Sequence, residues 1–566
     1  MMLKYEKKRI SVTGKKDSVK KGTQTVIIVI SIFIGSVIGT VATLAAVVRY
    51  QHIEGRTPMD QKLNAIWNIV EENYVDPIES DSVMDRLYAS MLNTLDPHSN
   101  YLSRSDLERE NEFLRGNFEG VGIVLQIRND TVCASRIVEG GPAESVGLLA
   151  GDRILKVDGK PVSGVNMPSD SVVARLRGRR KSVVDVEIKR FSEARSRVVK
   201  ITRDVIPTPS LSYCGMIDSR TGYIRLTRFG ESTYNEFFDA VRDLKQKGMK
   251  RMVLDLRDNG GGVLSSAIAI CDELLPGREL IVYTEGTHQK RREHRSSPGG
   301  LLCDGELIVM IDEYSASASE IVAGAIQDND RGVVVGRRSF GKGLVQQQFE
   351  LPDESAILLT IARYYTPSGR CIQRPYNNGS DEYYADFARQ LMEAYDTLYE
   401  DVERYHEECY HIKDTTTYYT SKGRVVYGGG GIMPDHTIQV KTDPDIIYYN
   451  QLINKGIMNE YTFDIVSRNA VSIRSQYKTA DDFVSRYKVS DAMLGELFKL
   501  GEKKGLIKDP VTISKYREEI RSRIKAEIGE MLYSTGTFYR IMLPYDRELK
   551  EANAFGVRVT KKPQGA

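Results

Sequence analysis

The stretch IDEYSASASEIVAGAIQDNDRGVVVGRRSFGKGLVQ, residues 311–346, decides the architecture that this chain is expected to adopt. An apolar segment at 307–311 leads into a run of small residues at 315–319, and a helical pattern follows at 320–326. This order predicts a strand, a tight turn and the start of a helix. At such a turn a hydroxyl can lie beside backbone N–H groups that have no partner within the helix.

A second predicted strand, residues 332–336, is followed by FGKG at 340–343, which places Lys342 between two glycines. Serine becomes a nucleophile beside a base, and lysine can be that base when it is neutral. Because lysine ordinarily titrates near about 10.4, its surroundings must lower that pKa. The residues alone leave two plainer interpretations open, namely a surface lysine in a glycine turn and a serine run that caps a helix.

The segment resembles the active-site signature of the carboxyl-terminal processing peptidases, also called tail-specific proteases. The resemblance implies that the middle serine of SASASE, Ser317, is the nucleophile and that Lys342, 25 residues later, is the general base. It also implies that Gln346 orients the lysine. We expect no cofactor and no metal, because the seven histidines and six cysteines show no metal-ligand spacing.

Length and charge limit the possibilities further. A chain of 566 residues predicts roughly three or four domains. With 79 basic and 77 acidic residues, no excess of positive charge points to a nucleic-acid partner. Most of the six scattered cysteines lie in apolar segments and are predicted to be buried, although one or two disulfides stay possible in an oxidising compartment.

The N-terminus predicts a membrane anchor. A basic tail, residues 1–25, precedes an uncharged run at 26–48 that would span about 34 Å as a helix, enough for a hydrocarbon core of roughly 30 Å. The alternative is a cleaved signal peptide, whose apolar region is usually shorter. We predict a single-pass anchor with its basic flank in the cytoplasm. In a bacterium with two membranes, the anchor then lies in the inner membrane and the catalytic part in the periplasm.

Residues 49–110 form the predicted helical N-terminal part of the protease, with apolar residues at helical spacing. The LDPHS stretch at 95–99 resembles a hallmark of the same peptidase family. His98 could be imagined as the base of a triad. We prefer a role in packing at a helix end, since Lys342 already fits the role of base.

Residues 111–205 change to short strands and turns, with GVGIVL at 120–125, GGPAE at 140–144 and GDRILKVDG at 151–159. Together these motifs resemble a PDZ domain, a module that adds the C-terminus of a ligand as an extra strand. The resemblance implies that the carboxylate of an apolar C-terminal tail is held by a loop of four residues, Gly120, Val121, Gly122 and Ile123. A PDZ fold that has lost its groove is the alternative.

The segment LRG at 176–178 resembles one that carries a substrate-sensing arginine in relatives. Here that arginine would be Arg177. Lys181 stands where the family usually has glycine, which weakens this assignment.

Residues 206–440 are predicted to be the protease core. Alternating strands and helices, with the nucleophile at a strand-to-helix turn, predict an α/β fold, and by resemblance a Clp-protease/crotonase-like core. The stretch LDLRDNGGG at 254–262 resembles the oxyanion loop of the family. The resemblance implies an oxyanion hole formed by Gly261, or a neighbouring glycine, and the N–H of Ala318. Residues 381–410 are predicted to be a helical insertion.

Residues 441–566 show apolar residues at helical spacing and predict a C-terminal helical region. A packed domain is the plain interpretation, and a surface for self-association or for an adaptor protein is the alternative. The whole chain is therefore predicted to be a multidomain α/β protein with a transmembrane helix, a PDZ domain and C-terminal helices.

The combined prediction is a membrane-anchored periplasmic serine endopeptidase that cleaves proteins near their C-termini with a Ser–Lys dyad. Its substrates would be proteins with apolar C-terminal tails, captured by the PDZ domain. Two alternatives stay open: a non-catalytic PDZ scaffold on the membrane, and a broad oligopeptide hydrolase of the same fold.

Overall fold

The computed structural model of the chain describes residues 58–395, 416–439 and 443–560. The predicted basic tail at 1–25 and anchor at 26–48 lie outside these residues. Among the helices within the described ranges, none is both long and apolar enough to cross a bilayer. The chain divides into two compact units, Met1–Arg86 and Leu87–Ala566.

The described part of the first unit is helical, as predicted. Helix α1 (Pro58–Asn73) is followed by helix α2 (Ser80–Asn93), which begins in the first unit and ends in the second. The YVDP stretch at 74–77 separates them, because proline disfavours helical geometry in the residue before it.

The second unit opens with three short elements that lead into the predicted PDZ domain. They are β1 (Asn100–Leu102), α3 (Arg104–Arg115) and β2 (Asn117–Gly120). The elements of the domain follow: β3 (Ile123–Arg128), β4 (Thr131–Ile137), α4 (Pro142–Ser145), β5 (Arg153–Val157), β6 (Lys160–Pro161), α5 (Ser169–Leu176), β7 (Val183–Lys189), β8 (Arg197–Thr202) and β9 (Asp204–Pro207).

Strands β3 to β8 form one antiparallel sheet in the order β3-β4-β5-β7-β8, with β6 paired to β5. Strand β3 is therefore an edge strand. Strand β9 returns to pair with β2, so the chain enters and leaves the domain side by side. This arrangement fits the predicted PDZ fold.

The protease core contains twelve strands and four helices within the described residues. In chain order they are β10 (Leu211–Met216), β11 (Thr221–Leu226), α6 (Thr233–Gln246), β12 (Arg251–Asp255), α7 (Leu264–Leu274), β13 (Leu280–Gly286), β14 (Gln289–Arg295), β15 (Glu306–Ile311), α8 (Ala318–Asp328), β16 (Val333–Gly336), β17 (Leu344–Glu350), β18 (Ala356–Tyr365), α9 (Ser380–Tyr395), β19 (Thr417–Tyr419), β20 (Val425–Tyr427) and β21 (His436–Thr437).

The main sheet of the core has the order β10-β11-β12-β15-β16-β21, and its strands are parallel except for β10 beside β11. Strand β12 is buried at every residue, as expected of a parallel strand covered on both faces. A second, antiparallel sheet pairs β18 with β1, β13 and β17. The predicted α/β core is confirmed.

The predicted C-terminal helical region is confirmed as well. Its helices are α10 (Ile447–Asn454), α11 (Ile457–Gln476), α12 (Ala480–Arg486), α13 (Asp491–Lys503), α14 (Pro510–Lys515), α15 (Arg517–Leu532), α16 (Thr535–Met542) and α17 (Arg547–Thr560), with 3-10 turns at Pro444–Ile446 and Leu543–Tyr545.

This helical region packs against both other domains. Its apolar core includes Cys133 and Ala150 of the PDZ domain, and the side chain of Gln126 donates to Asn459 at 2.8 Å. Near the end of the chain, Leu549 and Ala552 pack against strands of the main sheet.

Two other predictions concern residues that are only partly described. Five cysteines are free thiols, namely Cys133, Cys214, Cys271, Cys303 and Cys371, and Cys409 lies outside the described residues. The predicted helical insertion contains α9, and its part beyond Tyr395 lies outside them too.

Candidate active site

Three loops of the core converge because they follow neighbouring parallel strands. The glycine loop at 258–262 follows β12, Ser317 follows β15, and Lys342 follows β16. The carboxyl ends of parallel strands meet at one edge of the sheet, where sites in α/β proteins usually form. Ser317 caps α8 with φ 54° and ψ −111°, a backbone conformation that non-glycine residues seldom adopt and that is often found at functional sites.

Glu320 connects the turn at Ser317, the predicted nucleophile turn, to the turn at Lys342, the predicted base turn. Its Oε2 accepts the backbone N–H of Ser317 at 2.8 Å and that of Lys342 at 2.9 Å. Its Oε1 accepts the Ser339 hydroxyl at 2.5 Å and the N–H of Gly341 at 2.7 Å. Burial raises the pKa of Glu320 to about 7, although the four donors oppose that rise. One carboxylate therefore sets the separation of the two turns.

Tyr364, on β18, makes a second connection between the same turns. Its hydroxyl lies 2.6 Å from the carbonyl oxygen of Lys342 and 3.1 Å from that of Ser317. The ring is buried, with 1% of the residue exposed, so the hydroxyl is well shielded from water. Ser317 and Lys342 are thus held through both their N–H and their C=O groups.

The side chain of Lys342 donates a hydrogen bond of 2.7 Å to Oε1 of Gln346. In turn, Nε2 of Gln346 donates to the carbonyl oxygen of His98 at 2.6 Å. Burial lowers the pKa of Lys342, and the carboxylates of Glu110, Asp96 and Glu320 only partly offset this effect. Lys342 is therefore more readily neutral than an exposed lysine.

His98 contacts Gln346 through its backbone carbonyl, whereas its imidazole ring faces Tyr383. Nε2 of the ring lies 2.8 Å from the hydroxyl of Tyr383 on α9. Burial, followed by the nearby Lys342, lowers the pKa of His98 to about 4, so the ring is neutral at pH 7.

The glycine loop lies directly against the nucleophile turn. A Cβ placed on Gly261 would lie 2.8 Å from Cβ of Ser317 and 2.9 Å from the nitrogen of Ala318, and the φ of Gly261 is +97°. Only glycine is compatible with that approach. The N–H of Gly261 donates to Oδ1 of Asn259 at 2.9 Å, and the carbonyl of Asn259 accepts the N–H of Ala316 at 3.0 Å.

The four residues predicted to bind a C-terminal carboxylate lie in the PDZ domain and run from the last residue of β2 to the first residue of the edge strand β3. Val121 is buried, and Gly122 has φ +76°. Their carbonyls accept the N–H groups of Ala143 and Val138, both at 2.9 Å.

Arg177, at the end of α5, contacts residues near the start of the second unit. Its guanidinium donates to Glu112 on α3 at 2.5 Å and lies 4.9 Å from the ring centre of Phe118.

The structure thus brings Ser317, Lys342, Gln346, Gly261 and Ala318 together and places residues 120–123 in a separate domain. Sequence reasoning missed the contributions of Glu320, Tyr364 and the His98 carbonyl. Glu320 had a signal, because a glutamate three residues after a serine cap commonly reaches back to the N–H of that serine. Tyr364 had no local signal.

Three family models match the chain. The model of peptidase family S41 matches residues 220–378, and a PDZ domain model matches residues 134–190. A family of unknown function, DUF8443, matches residues 448–534 in the C-terminal helical region.

The chain is similar to curated proteases over most of their length. It is 37% identical over 313 residues to the carboxy-terminal-processing protease of Bartonella bacilliformis, covering 54% of this chain and 71% of that protein. It is 31% identical over 351 residues to a probable CtpA-like serine protease of Staphylococcus aureus (strain COL), covering 61% and 70%.

Among solved structures, the photosystem II D1 C-terminal processing protease is 28% identical, with 56% of this chain and 90% of that chain covered and a TM-score of 0.32. The predicted family and the serine-type peptidase activity are confirmed by the family models and the curated relatives. This chain belongs to the S41 family of carboxy-terminal-processing proteases, as a PDZ-containing serine peptidase.

Proposed function

We propose that the chain is an endopeptidase in which Ser317 attacks the scissile carbonyl and neutral Lys342 takes the proton of the serine hydroxyl. The observation that carries this proposal is the shared carboxylate of Glu320, which accepts the N–H groups of both residues. A base that is buried and hydrogen-bonded to a neutral amide suits proton transfer near neutral pH.

The proton then passes to the leaving amine, and water later releases the acyl group from Ser317 with Lys342 again as the base. Gln346 is proposed to orient the lysine. Since Nε2 of Gln346 faces a carbonyl, which can only accept, Oε1 is the atom left to face the lysine.

The oxyanion hole is proposed to include the N–H of Ala318. Ala318 is the first residue of α8, a position whose N–H has no acceptor within the helix. Gly261 is proposed as the second donor, and its N–H must then leave Oδ1 of Asn259 when the oxyanion forms. The backbone of Gly261 lies close to the nucleophile turn, because a Cβ placed on it would be 2.8 Å from Cβ of Ser317 and 2.9 Å from the nitrogen of Ala318.

The PDZ domain is proposed to bind the apolar C-terminal tail of a protein substrate, with its carboxylate at residues 120–123. Strand β3 follows this loop and is an edge strand, so its free side suits the addition of a ligand strand. Cleavage would then fall near the C-terminus, because the bound tail limits which peptide bonds reach Ser317.

The sequence pattern supports a further proposal about location. Residues 26–48 would anchor the chain in the inner membrane, with the catalytic part in the periplasm. Reporter enzymes fused after residue 56 check this orientation. A reporter active only outside the cytoplasm should be active, and activity of a cytoplasm-only reporter would contradict the proposal.

The catalytic proposal is tested with the full chain in detergent, alongside Ser317→Ala and Lys342→Ala variants. Each is incubated with an unfolded protein that ends in an apolar tail, and with a copy whose C-terminus is amidated. Mass spectrometry maps the products. We expect cuts near the tail by the parent alone, and fewer cuts in the amidated copy.

Each alternative predicts another outcome. A non-catalytic scaffold leaves both substrates intact while still binding the free tail. A broad oligopeptide hydrolase cuts both copies equally. Equal cleavage by Ser317→Ala and the parent would remove Ser317 from the role of nucleophile.

A further inference from the structure

Glu548, near the start of α17, contacts two arginines that belong to different active-site loops. Its Oε2 accepts from Nη1 of Arg257 at 2.9 Å, and its Oε1 accepts from Nη1 of Arg337 at 2.9 Å. Helix α17 lies beyond the residues matched by the S41 model and by the family of unknown function. The contact therefore connects the last helix of the chain to the protease core.

Arg257 immediately precedes the glycine loop at 258–262. Its guanidinium also donates to Asp255 at 2.6 Å and to Asp546 at 2.6 Å. Asp255 is fully buried and further accepts the hydroxyl of Tyr223 at 2.6 Å. The position of the glycine loop thus depends on an ion network that α17 completes.

Arg337 lies five residues before Lys342 and precedes the base turn. Its Nε donates to Glu313 at 2.6 Å, and Glu313 lies four residues before Ser317. Through Arg337, Glu548 is therefore connected both to the base turn and to the nucleophile turn.

These contacts are shielded from water. The side chains of Arg257, Arg337 and Glu548 are 10%, 6% and 22% exposed, respectively. Charge-assisted hydrogen bonds are stronger and more directional than neutral ones. A carboxylate can accept on both oxygens, whereas the amide of glutamine offers one acceptor and would turn a second donor toward an arginine. Glutamine at 548 could therefore keep only one of the two contacts.

We infer that Glu548 is a positioning residue for the peptidase reaction, which sets the glycine loop, the nucleophile turn and the base turn relative to one another. The inference rests on the proposed roles of Ser317 and Lys342. The C-terminal helical region is then part of the catalytic unit. A displacement of about 1 Å in such a site can cost roughly 100-fold in rate.

The test compares Glu548→Gln with Glu551→Gln in the full chain. Glu551 lies on the same helix and faces His436 at 3.7 Å, so it controls for loss of a charge from α17. We expect Glu548→Gln to lower kcat by roughly 10- to 100-fold. KM for a tailed peptide should change little, and Glu551→Gln should keep the parental kcat.

Thermal unfolding, measured in parallel, separates positioning from stability. A lower Tm with parental kcat, at a temperature where both variants are folded, would overturn the inference. Equal kcat for the two variants would do the same. Should Glu548→Gln fail to fold, Glu548→Asp keeps the charge on a shorter side chain, and parental kcat in that variant would also overturn it.

Failure of the underlying proposal has a different signature. If Ser317→Ala retains activity, the nucleophile assignment is wrong, whatever the kcat of Glu548→Gln. If Ser317→Ala is inactive and Glu548→Gln matches the parent, only the positioning role is wrong.

Discussion

The side-chain nitrogen of Lys342 lies 2.7 Å from Oε1 of Gln346, four residues along the chain. The acceptor is a neutral amide, so it orients the lysine without the strong attraction that a carboxylate would exert on the charged form. Burial is what lowers the pKa of Lys342 below its usual range, and a neutral acceptor opposes that effect less than a carboxylate would.

Replacing Gln346 with glutamate should therefore move the activity profile to higher pH. A lysine base acts when unprotonated, so kcat/KM rises with pH through the pKa of Lys342. A carboxylate beside the lysine favours the charged form and raises that pKa, by about 1–3 units for such a neighbour. The measurement is kcat/KM for a tailed peptide against pH. Gln347→Glu is the control, because Gln347 is exposed, and an unshifted profile in Gln346→Glu would contradict the proposed base.

Glu320→Gln should lower kcat sharply. The two carboxylate oxygens of Glu320 accept four hydrogen bonds, and glutamine replaces one of these oxygens with an NH2 group that cannot accept. A buried N–H left without an acceptor costs about 1–3 kcal/mol. Glu236→Gln is the control, since Glu236 also accepts two backbone N–H groups, from Ser210 and Leu211, and none of these three is a proposed site residue. Parental kcat in purified Glu320→Gln would show that the shared carboxylate is dispensable.

The pH dependence of stability should change in the same variant. The pKa of Glu320 is about 7 in the folded chain, above its ordinary value of 4.5. The native state therefore binds more protons between these values, and its free energy of unfolding falls as pH rises from 4.5 toward 7. This contribution is on the order of 3 kcal/mol. Denaturant unfolding at several pH values should give a flatter dependence for Glu320→Gln than for the parent, and identical slopes would contradict the assignment.

Gly261→Ala should abolish most activity, and Gly260→Ala should not. A Cβ at position 261 would lie 2.7 Å from the carbonyl oxygen of Ala316, at a positive φ, whereas one at position 260 meets nothing within 4 Å. The loop must move away from Ser317, and loss of one oxyanion donor typically costs about 100- to 1000-fold in kcat. Steady-state kinetics of the two variants would decide, and equal kcat values would exclude a role for the close approach.

Gly151→Ala should weaken the contact between the PDZ domain and the C-terminal helices. Its Cβ would lie 2.4 Å from Cα of Ser467 on α11. Gly147 also has a positive φ but open space around it, so Gly147→Ala reproduces the backbone strain of about 1–2 kcal/mol without the clash. We expect a larger fall in Tm and faster cleavage by an added protease for Gly151→Ala. Equal Tm values for the two variants would mean that the interface accommodates the added Cβ without loss of stability.

Local sequence patterns were enough to predict the family, the strand-turn-helix order around Ser317, the glycine turn around Lys342 and the helical character of the C-terminal region. These features depend on residues close together in the chain, whose spacing and turn chemistry carry the information. The separation of four positions between Lys342 and Gln346 is likewise a local pattern.

The contacts that connect those local patterns could be seen only in the folded chain. Tyr364 joins Ser317 to Lys342, the carbonyl of His98 meets Gln346 from 248 residues away, and Glu548 reaches Arg337 from 211 residues away. Such contacts follow from the pairing of β18 with β1 and β17 and from the packing of α17 against the main sheet. The donors that a buried carboxylate or carbonyl accepts are those that the fold places near it. These partners are far apart in the chain, so no periodic sequence pattern predicts them.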